Sequence, residues 1–83
     1  MEHVSTIIVN YNTPKETEAA IRSAVAAKSD GFRHQVIVVD NGSKDPFKLP
    51  KDLNRAPIEL IRSEANLGFT GGNNLGMSHA VKE

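Results

Sequence analysis

The sequence contains no cysteine, and its histidines are few and scattered. Without cysteine there is no disulfide scaffold and no cysteine-ligated zinc site. His3, His34 and His79 lack the spacing of metal ligands, so we expect ordinary surface or core histidines. A chain of 83 residues is one domain at most, and a domain of this size has a thin core.

An excess of charge of either sign is also missing. Ten Lys and Arg residues balance ten Asp and Glu residues, and no basic stripe alternates with aromatic residues, which argues against nucleic acid as the main partner. No apolar stretch approaches the roughly 18 residues that span a bilayer, and no basic start precedes an apolar run. We therefore expect no transmembrane segment and a cytoplasmic location, which leaves room for peripheral contact with the inner face of the membrane.

Short apolar runs on either side of an amphipathic segment are what the sequence does contain. Residues 4–9 and 35–39 are rich in Val and Ile and predict two strands that are buried on both faces. Residues 14–28 between them predict a helix, so the unit is a right-handed βαβ crossover with parallel strands. The apolar face of this helix is predicted to comprise Ala20, Ile21, Ala24, Val25 and the stem of Lys28.

Local signals predict where these elements begin and end. Residues 13–16, Thr-Pro-Lys-Glu, form a capping-box pattern with proline at the first helical position, and residues 29–31, Ser-Asp-Gly, are predicted to end the helix. Residues 43–57 contain three prolines and predict a loop with a short helical turn. Residues 58–62 predict a third strand.

A last helix is predicted to begin at Thr70 or Gly71 and to continue through Val81. The predicted fold class is therefore α/β, with a mostly parallel sheet of about three strands and two main helices.

Asn10, Tyr11 and Asn12 follow the first predicted strand directly. Ligands of parallel α/β sheets bind outside the carboxyl ends of the strands, so an aromatic ring and two amides there could stack on a base and hydrogen-bond to it. The alternative is a polar loop that leads into the helix, with Tyr11 packed as a lid.

Asp40 ends the second predicted strand and precedes Asn41, Gly42 and Ser43. Its carboxylate could accept a hydrogen bond from a base N–H or a ribose hydroxyl, and Gly42 would let the backbone approach a ligand. Asn-Gly is also a hairpin signal, but no strand follows it. Asp40 could instead cap a turn through its own side chain.

A glycine-rich turn at residues 68–76 leads into the last predicted helix. Free N–H groups at a helix N-terminus suit a phosphate. The spacing is neither that of dinucleotide-binding enzymes nor that of P-loop NTPases, so both classes are disfavoured. Alternatively, Gly72 and Gly76 simply allow the helix to pack closely on a neighbouring element.

Taken together and in order, these segments resemble the start of family 2 glycosyltransferases of the GT-A fold, in particular their bacterial rhamnosyltransferase-like branch. The resemblance runs from Val4 to about Ala80. It is carried by Asp-x-Gly-Ser-x-Asp at residues 40–45 and by Asn-x-Gly-x-x-x-Gly-x-Asn-x-Gly at residues 66–76. It implies that residues 1–83 are a truncated, Rossmann-like nucleotide-binding domain.

The resemblance also implies roles for individual residues. The base is lined by the segment around Tyr11 and its uracil or thymine edge is bound by Asp40, whereas Asp45 has a structural role. The turn that includes Asn66 and Gly68 lies beside the ribose and diphosphate, although Asn73 stands where many members have a basic residue. The residues implied to bind the donor are Val9, Asn10, Tyr11, Asp40, Gly71, Gly72 and Asn74.

The family's metal and catalytic base belong to later motifs. An Asp-x-Asp motif there holds Mg²⁺ or Mn²⁺ against the diphosphate, and residues 1–83 contain no such motif. The resemblance thus implies no catalytic residue, metal ligand or cofactor in this chain, and poor catalysis by it alone, since the diphosphate leaving group would not be neutralised.

The implied partner is a UDP- or dTDP-linked sugar, which the parent enzyme transfers to a glycan or lipid-linked acceptor in cell-surface polysaccharide biosynthesis. The open edge of so small a sheet further predicts a homodimer or higher oligomer. The alternative is a non-catalytic module that retains the fold for nucleotide binding or assembly.

Overall fold

The computed structural model describes residues 2–27, 32–54 and 56–81. It confirms the predicted α/β fold, with three parallel strands and two main helices. The predicted end of the first helix, at Lys28 and residues 29–31, lies outside the described residues. In chain order the elements are β1 (Glu2–Asn10), α1 (Pro14–Ala26), β2 (Phe32–Asn41), a 3₁₀ turn (Lys51–Leu53), β3 (Ile58–Ser63) and α2 (Gly68–Val81).

The sheet has the strand order β1, β2, β3, so β2 is the central strand. Asn10 of β1 pairs with Asp40 of β2, and Asp40 pairs in turn with Arg62 of β3. Because all three strands are parallel, their carboxyl ends meet at one edge of the sheet. The loops that follow the strands are therefore brought together there.

The core is centred on β2, whose residues 36–39 are completely buried. On one face, Val36 and Val38 pack with Ile21 of α1. On the other face α2 approaches closely, since a Cβ added to Gly76 would lie 3.3 Å from Val39 Cγ2. Both faces of the central strand are thus covered, as its uninterrupted apolar run predicts.

The sequence also predicted that β1 is buried on both faces, and this prediction was wrong. Side chains 5–9 of β1 are only half-buried, and Val4 is exposed. Among the described residues β1 pairs with β2 alone, so its other side has no neighbouring strand.

The start of α1 and most of its buried face were predicted correctly, since Ile21 is buried and Ala24 and Val25 pack against the core, but the predicted cap was wrong. Thr13 and Pro14 occupy the N-cap and first helical positions, yet the Thr13 hydroxyl donates to Asn10 Oδ1 at 3.4 Å and makes no helix-capping bond. Thr17 is buried and donates to the same oxygen at 2.7 Å. The Thr17 side of the helix thus faces inwards, whereas Ala20, which was predicted to face the core, is exposed.

The remaining elements agree with the predictions to within a few residues. The turn at Lys51–Leu53 confirms the short helical segment in the proline-containing loop, and Leu53 joins the core. Helix α2 begins at Gly68, two residues before Thr70, and the Gly68 N–H donates to Asn66 Oδ1 at 2.9 Å. Within the described residues, no helix is long and apolar enough to cross a membrane.

Candidate functional site

The carboxyl edge of the sheet is organised by the last two residues of β2, Asp40 and Asn41. Side chains alternate between the two faces of a strand, so these neighbours point in opposite directions. Asp40 lies on the side of α1, where Asn10 and Thr17 are hydrogen-bonded to each other. Asn41 lies on the side of α2, where it contacts Gly68.

The Asp40 carboxylate is buried and fully engaged by protein groups. Its Oδ1 accepts a hydrogen bond from Asn10 Nδ2 at 3.0 Å. Its Oδ2 accepts one from the Phe47 N–H at 2.8 Å and one from the Arg62 guanidinium at 2.7 Å. These contacts match the alternative in which Asp40 fixes a turn through its side chain. Because only 1% of Asp40 is exposed, a base could reach the carboxylate only by displacing one of these donors.

The surroundings of Asp40 keep this carboxylate charged. Burial alone would raise the pKa of Asp40, but hydrogen bonds from the Ser43 hydroxyl, the Phe47 N–H and the Asn10 amide oppose that effect. The nearby Arg62 guanidinium acts in the same direction, and the net result is a pKa below the usual value. Asp40 is therefore ionised at neutral pH.

Ser43 extends this network to the loop between β1 and α1. Its Oγ accepts hydrogen bonds from Asn10 Nδ2 and from the Asn12 N–H, both at 3.0 Å. The Lys44 N–H donates in return to Asn12 Oδ1 at 2.9 Å. Asn12 has a φ of +55°, a conformation that asparagine adopts more readily than most residues. The loops that follow β1 and β2 are thus joined by side-chain to backbone hydrogen bonds.

Asn41 forms the matching network on the other side of the sheet. Its Oδ1 accepts from the Leu67 N–H at 3.0 Å, and its Nδ2 donates to Asn66 Oδ1 at 3.1 Å and to the Gly68 carbonyl at 3.0 Å. These bonds fix the first turn of α2 against the end of β2. The N–H groups of Phe69 and Thr70, in the same turn, have no acceptor among the described residues, so they are available to an anion.

Two of the residues predicted to bind the donor, Val9 and Gly72, contact each other. A Cβ added to Gly72 would lie 3.1 Å from both Val9 Cγ1 and Asn41 Nδ2. Gly72 is buried, so the close-packing alternative describes this glycine and Gly76. Gly71 is half-buried and Asn74 is exposed on the same helix.

Two of the exposed side chains at this edge are aromatic. Tyr11, after β1, is 46% exposed, and Phe69, in the first turn of α2, is 79% exposed. Tyr11 is therefore open to a ligand, as its predicted role requires. Phe69 was not assigned a role from the sequence, although an aromatic residue within a glycine-rich turn is a recognisable signal.

Asn41 and Arg62 were also missed as organising residues. The alternation of side chains along β2 would have placed Asn41 opposite to Asp40. A basic residue at the end of the third apolar run could likewise have been matched with Asp40 once the three strands were aligned.

The acidic residues and histidines of the described ranges do not form a metal site. No three His, Asp or Glu side chains cluster there in a way that could hold a metal ion. The described residues thus do not provide a ligand set for the divalent metal that the family resemblance implies, and we assign them no metal-dependent step.

Comparison with known proteins gives one finding. The family model described as glycosyl transferase family 2 matches residues 5–83. A search of curated proteins and a search of solved structures both return no match.

Proposed function

The chain belongs to glycosyl transferase family 2, and from this premise we propose that its carboxyl sheet edge binds the nucleotide of a sugar-nucleotide donor. The observation that carries the proposal is the pair of networks built on Asp40 and Asn41. They hold the loops after all three strands at one edge, where ligands of parallel α/β sheets bind.

We propose that two groups of residues bind different parts of the donor. The exposed ring of Tyr11 offers a surface on which a base can stack. The Phe69 and Thr70 N–H groups offer donors to the diphosphate, where the helix dipole adds partial positive charge. In this proposal Gly71 and Asn74 lie beside the ribose and diphosphate. Gly72 and Val9 pack against each other beneath the site and do not contact the donor.

In this proposal Asp40 mainly positions other residues of the site. Its carboxylate positions Asn10 and the Phe47 backbone, and contact with a uracil or thymine edge requires a base N–H to replace one of those donors. A base N–H is a close substitute for an amide N–H, so the exchange preserves the number of hydrogen bonds.

The identity of the donor and the reaction follow from the family resemblance. We infer a UDP- or dTDP-linked sugar and, for the parent enzyme, transfer to a glycan or lipid-linked acceptor in the manner of the rhamnosyltransferase-like branch. Residues 1–83 contain no Asp-x-Asp motif, so we expect this chain by itself to bind the nucleotide and to transfer the sugar poorly.

Isothermal titration calorimetry with UDP and dTDP tests the proposal. We expect binding that Tyr11→Ala weakens about tenfold, since stacking on an aromatic ring contributes roughly 1 to 3 kcal/mol per base. Met77→Ala is a matched control, because Met77 is similarly exposed but lies near the other end of α2. Equal affinities for both variants, or no binding of either nucleotide, would contradict the proposed site.

A second function, assembly through the sheet edges, has its own observation. Val4 on β1 and Leu60 on β3 are exposed apolar residues on the two outer strands. Open outer strands pair readily with another copy, so we propose a homodimer or higher oligomer. Size-exclusion chromatography with light scattering checks this, and a stable monomer at high concentration would refute it. An oligomer that binds no nucleotide would favour the assembly module over the donor site.

A further inference from the structure

A cavity of about 500 Å³ lies on the α1 side of the sheet, between the start of α1 and the loop that follows β2. Pro14, Pro46 and Phe47 contribute apolar surface, and Asn10 and Asn12 line it as polar residues. A concave, partly apolar site with a few polar groups is typical of small-molecule binding. Of the seven residues predicted to bind the donor, Asn10 alone lines this cavity, which we call the α1 pocket.

The α1 pocket has a small excess of positive charge. Lys15, Lys44 and Lys48 all line it and are exposed. None of their ammonium groups forms an ion pair with another residue in the described ranges. In contrast, Arg22 and Arg62 are each paired with a carboxylate. The lysines are thus free to accept an anionic partner.

The carboxylates of the pocket neutralise these lysines only in part. Glu18 and Asp45 line the same cavity, but the lysines outnumber them by one. Glu18 Oε2 lies 3.2 Å from Arg22 Nε, so its charge is directed towards that arginine. Like charges gathered at one site repel each other, and a bound anion would relieve that repulsion.

The pocket is formed without a ligand. The Phe47 N–H is held by Asp40 Oδ2 at 2.8 Å, and the Lys44 N–H by Asn12 Oδ1 at 2.9 Å. These bonds fix the backbone of the loop that carries Lys44 and Lys48. A ligand would therefore order side chains but not this part of the backbone, which lowers the entropic cost of binding.

We propose that the α1 pocket binds a small phosphate monoester with a compact ring, as a ligand site separate from that of the donor. The phosphate would lie among the lysine ammonium groups, which form charge-assisted hydrogen bonds with phosphate oxygens. The ring would pack on Pro14, Pro46 and Phe47. The pocket is separate from the proposed diphosphate site, because it is on the α1 side, whereas Asn41 and the first turn of α2 are on the other. Asn10, which is hydrogen-bonded to Asp40, is the one predicted donor residue that lines it.

Amide chemical-shift titration of the ¹⁵N-labelled chain with phenyl phosphate tests the proposal. We expect the largest shifts at Asn12, Lys44 and Lys48, small shifts along α2, and tighter binding of phenyl phosphate than of inorganic phosphate. The double variant Lys44→Gln, Lys48→Gln should weaken binding about tenfold, in line with the loss of charge-assisted hydrogen bonds. Lys51→Gln, an exposed lysine outside the pocket, should change the affinity less than about twofold.

Three results would overturn the proposal. The first is equal loss of affinity in the double variant and in Lys51→Gln, which would indicate non-specific attraction. The second is displacement of phenyl phosphate by UDP, which would make the pocket part of the donor site. The third is binding to phosphatidylcholine vesicles only when they contain phosphatidic acid, without binding of soluble phenyl phosphate, since the ligand source would then be a lipid headgroup. Retention of phenyl phosphate in saturating UDP would support the separate site, whether or not UDP binds elsewhere.

Discussion

Asp40 and Asn41 are adjacent in the chain, yet they hold the two sides of one sheet edge by different physical means. Asp40 is a buried carboxylate that accepts hydrogen bonds from Asn10, Phe47 and Arg62. Asn41 is a neutral amide that accepts from the Leu67 N–H and also donates twice. The α1 side of the edge therefore depends on a charge, whereas the α2 side depends on amide geometry. Substitutions and pH should affect the two sides separately.

The largest effect is expected when the charged side is broken by Asp40→Asn. Asparagine keeps one acceptor oxygen, but its NH₂ group replaces the other oxygen and faces groups that are themselves donors. Arg62 also loses the carboxylate with which it is paired. We expect the free energy of unfolding to fall by about 3 kcal/mol, because a buried charged acceptor is lost together with the partner of Arg62, whose side chain is 34% exposed. Urea denaturation measures this change in the free energy of unfolding. Asp45→Asn, in the exposed part of the same loop, is the control and should change it by less than about 0.5 kcal/mol.

Substitution of Gly42, the residue after Asn41, should lower the stability nearly as much as Asp40→Asn does. It has a φ of +77°, and a Cβ added to it would lie 2.5 Å from the Asn66 backbone nitrogen. Gly42→Ala should lower the free energy of unfolding by about 2 to 3 kcal/mol, from backbone strain and overlap together. Gly68 has a similar φ of +75° but open space around it, so Gly68→Ala should cost about 1 kcal/mol, from strain alone. Equal losses in the two variants would show that the crowding at Gly42 is relieved by a shift of the loop.

Breaking the amide side with Asn41→Ala should have a smaller effect than Asp40→Asn. It removes the acceptor of the Leu67 N–H at the start of α2, and loss of such a cap typically costs about 1 to 2 kcal/mol. Asn74→Ala, an exposed position on the same helix, should change stability by less than about 0.5 kcal/mol. Thermal unfolding followed by circular dichroism measures both variants. A loss at Asn41 as large as that at Asp40 would remove the distinction between the two sides.

The smallest effect, a pH dependence, should appear on the Asp40 side only. The pKa of Asp40 is lower in the folded protein than in the unfolded chain, so its stabilisation is complete above the unfolded value of about 3.9. It is lost as the pH falls below that value towards the folded pKa. The stability gap between the wild type and Asp40→Asn should thus narrow below about pH 4. Urea denaturation at pH 7, 5, 4 and 3 measures this gap, and the gap for Asn41→Ala should stay constant.

Much of the fold was predictable because its signals are local. The apolar runs around residues 36–39 and 58–61, and the proline at position 14, act over a few residues and indicate strands and a helix start directly. The order strand, helix, strand then leaves a parallel crossover as the favoured topology. Helix α2 was placed two or three residues late because the Gly68 turn is held by side chains from elsewhere in the chain.

The candidate site was predictable in position but not in detail. A polar residue at a strand end indicates the carboxyl edge of the sheet, so Asn10, Tyr11 and Asp40 were assigned to that edge, where Asn10 and Asp40 are hydrogen-bonded. Which of them is open to a ligand depends on neighbours that are distant in sequence. The side chain of Arg62, 22 residues from Asp40, occupies one carboxylate oxygen, and no local pattern around Asp40 reveals that partner.

The sequence by itself determined the α/β class, the parallel βαβ unit and the family resemblance, because periodicity, turn residues and motif spacing are properties of short segments. The tertiary structure alone decided that Asp40 is buried and paired while Tyr11 is exposed, and that Lys15, Lys44 and Lys48 line one cavity. These features depend on contacts across the sheet edge, which exist only once the three strands are aligned. Their energies come from burial and long-range pairing, and neither can be read from neighbours in the chain.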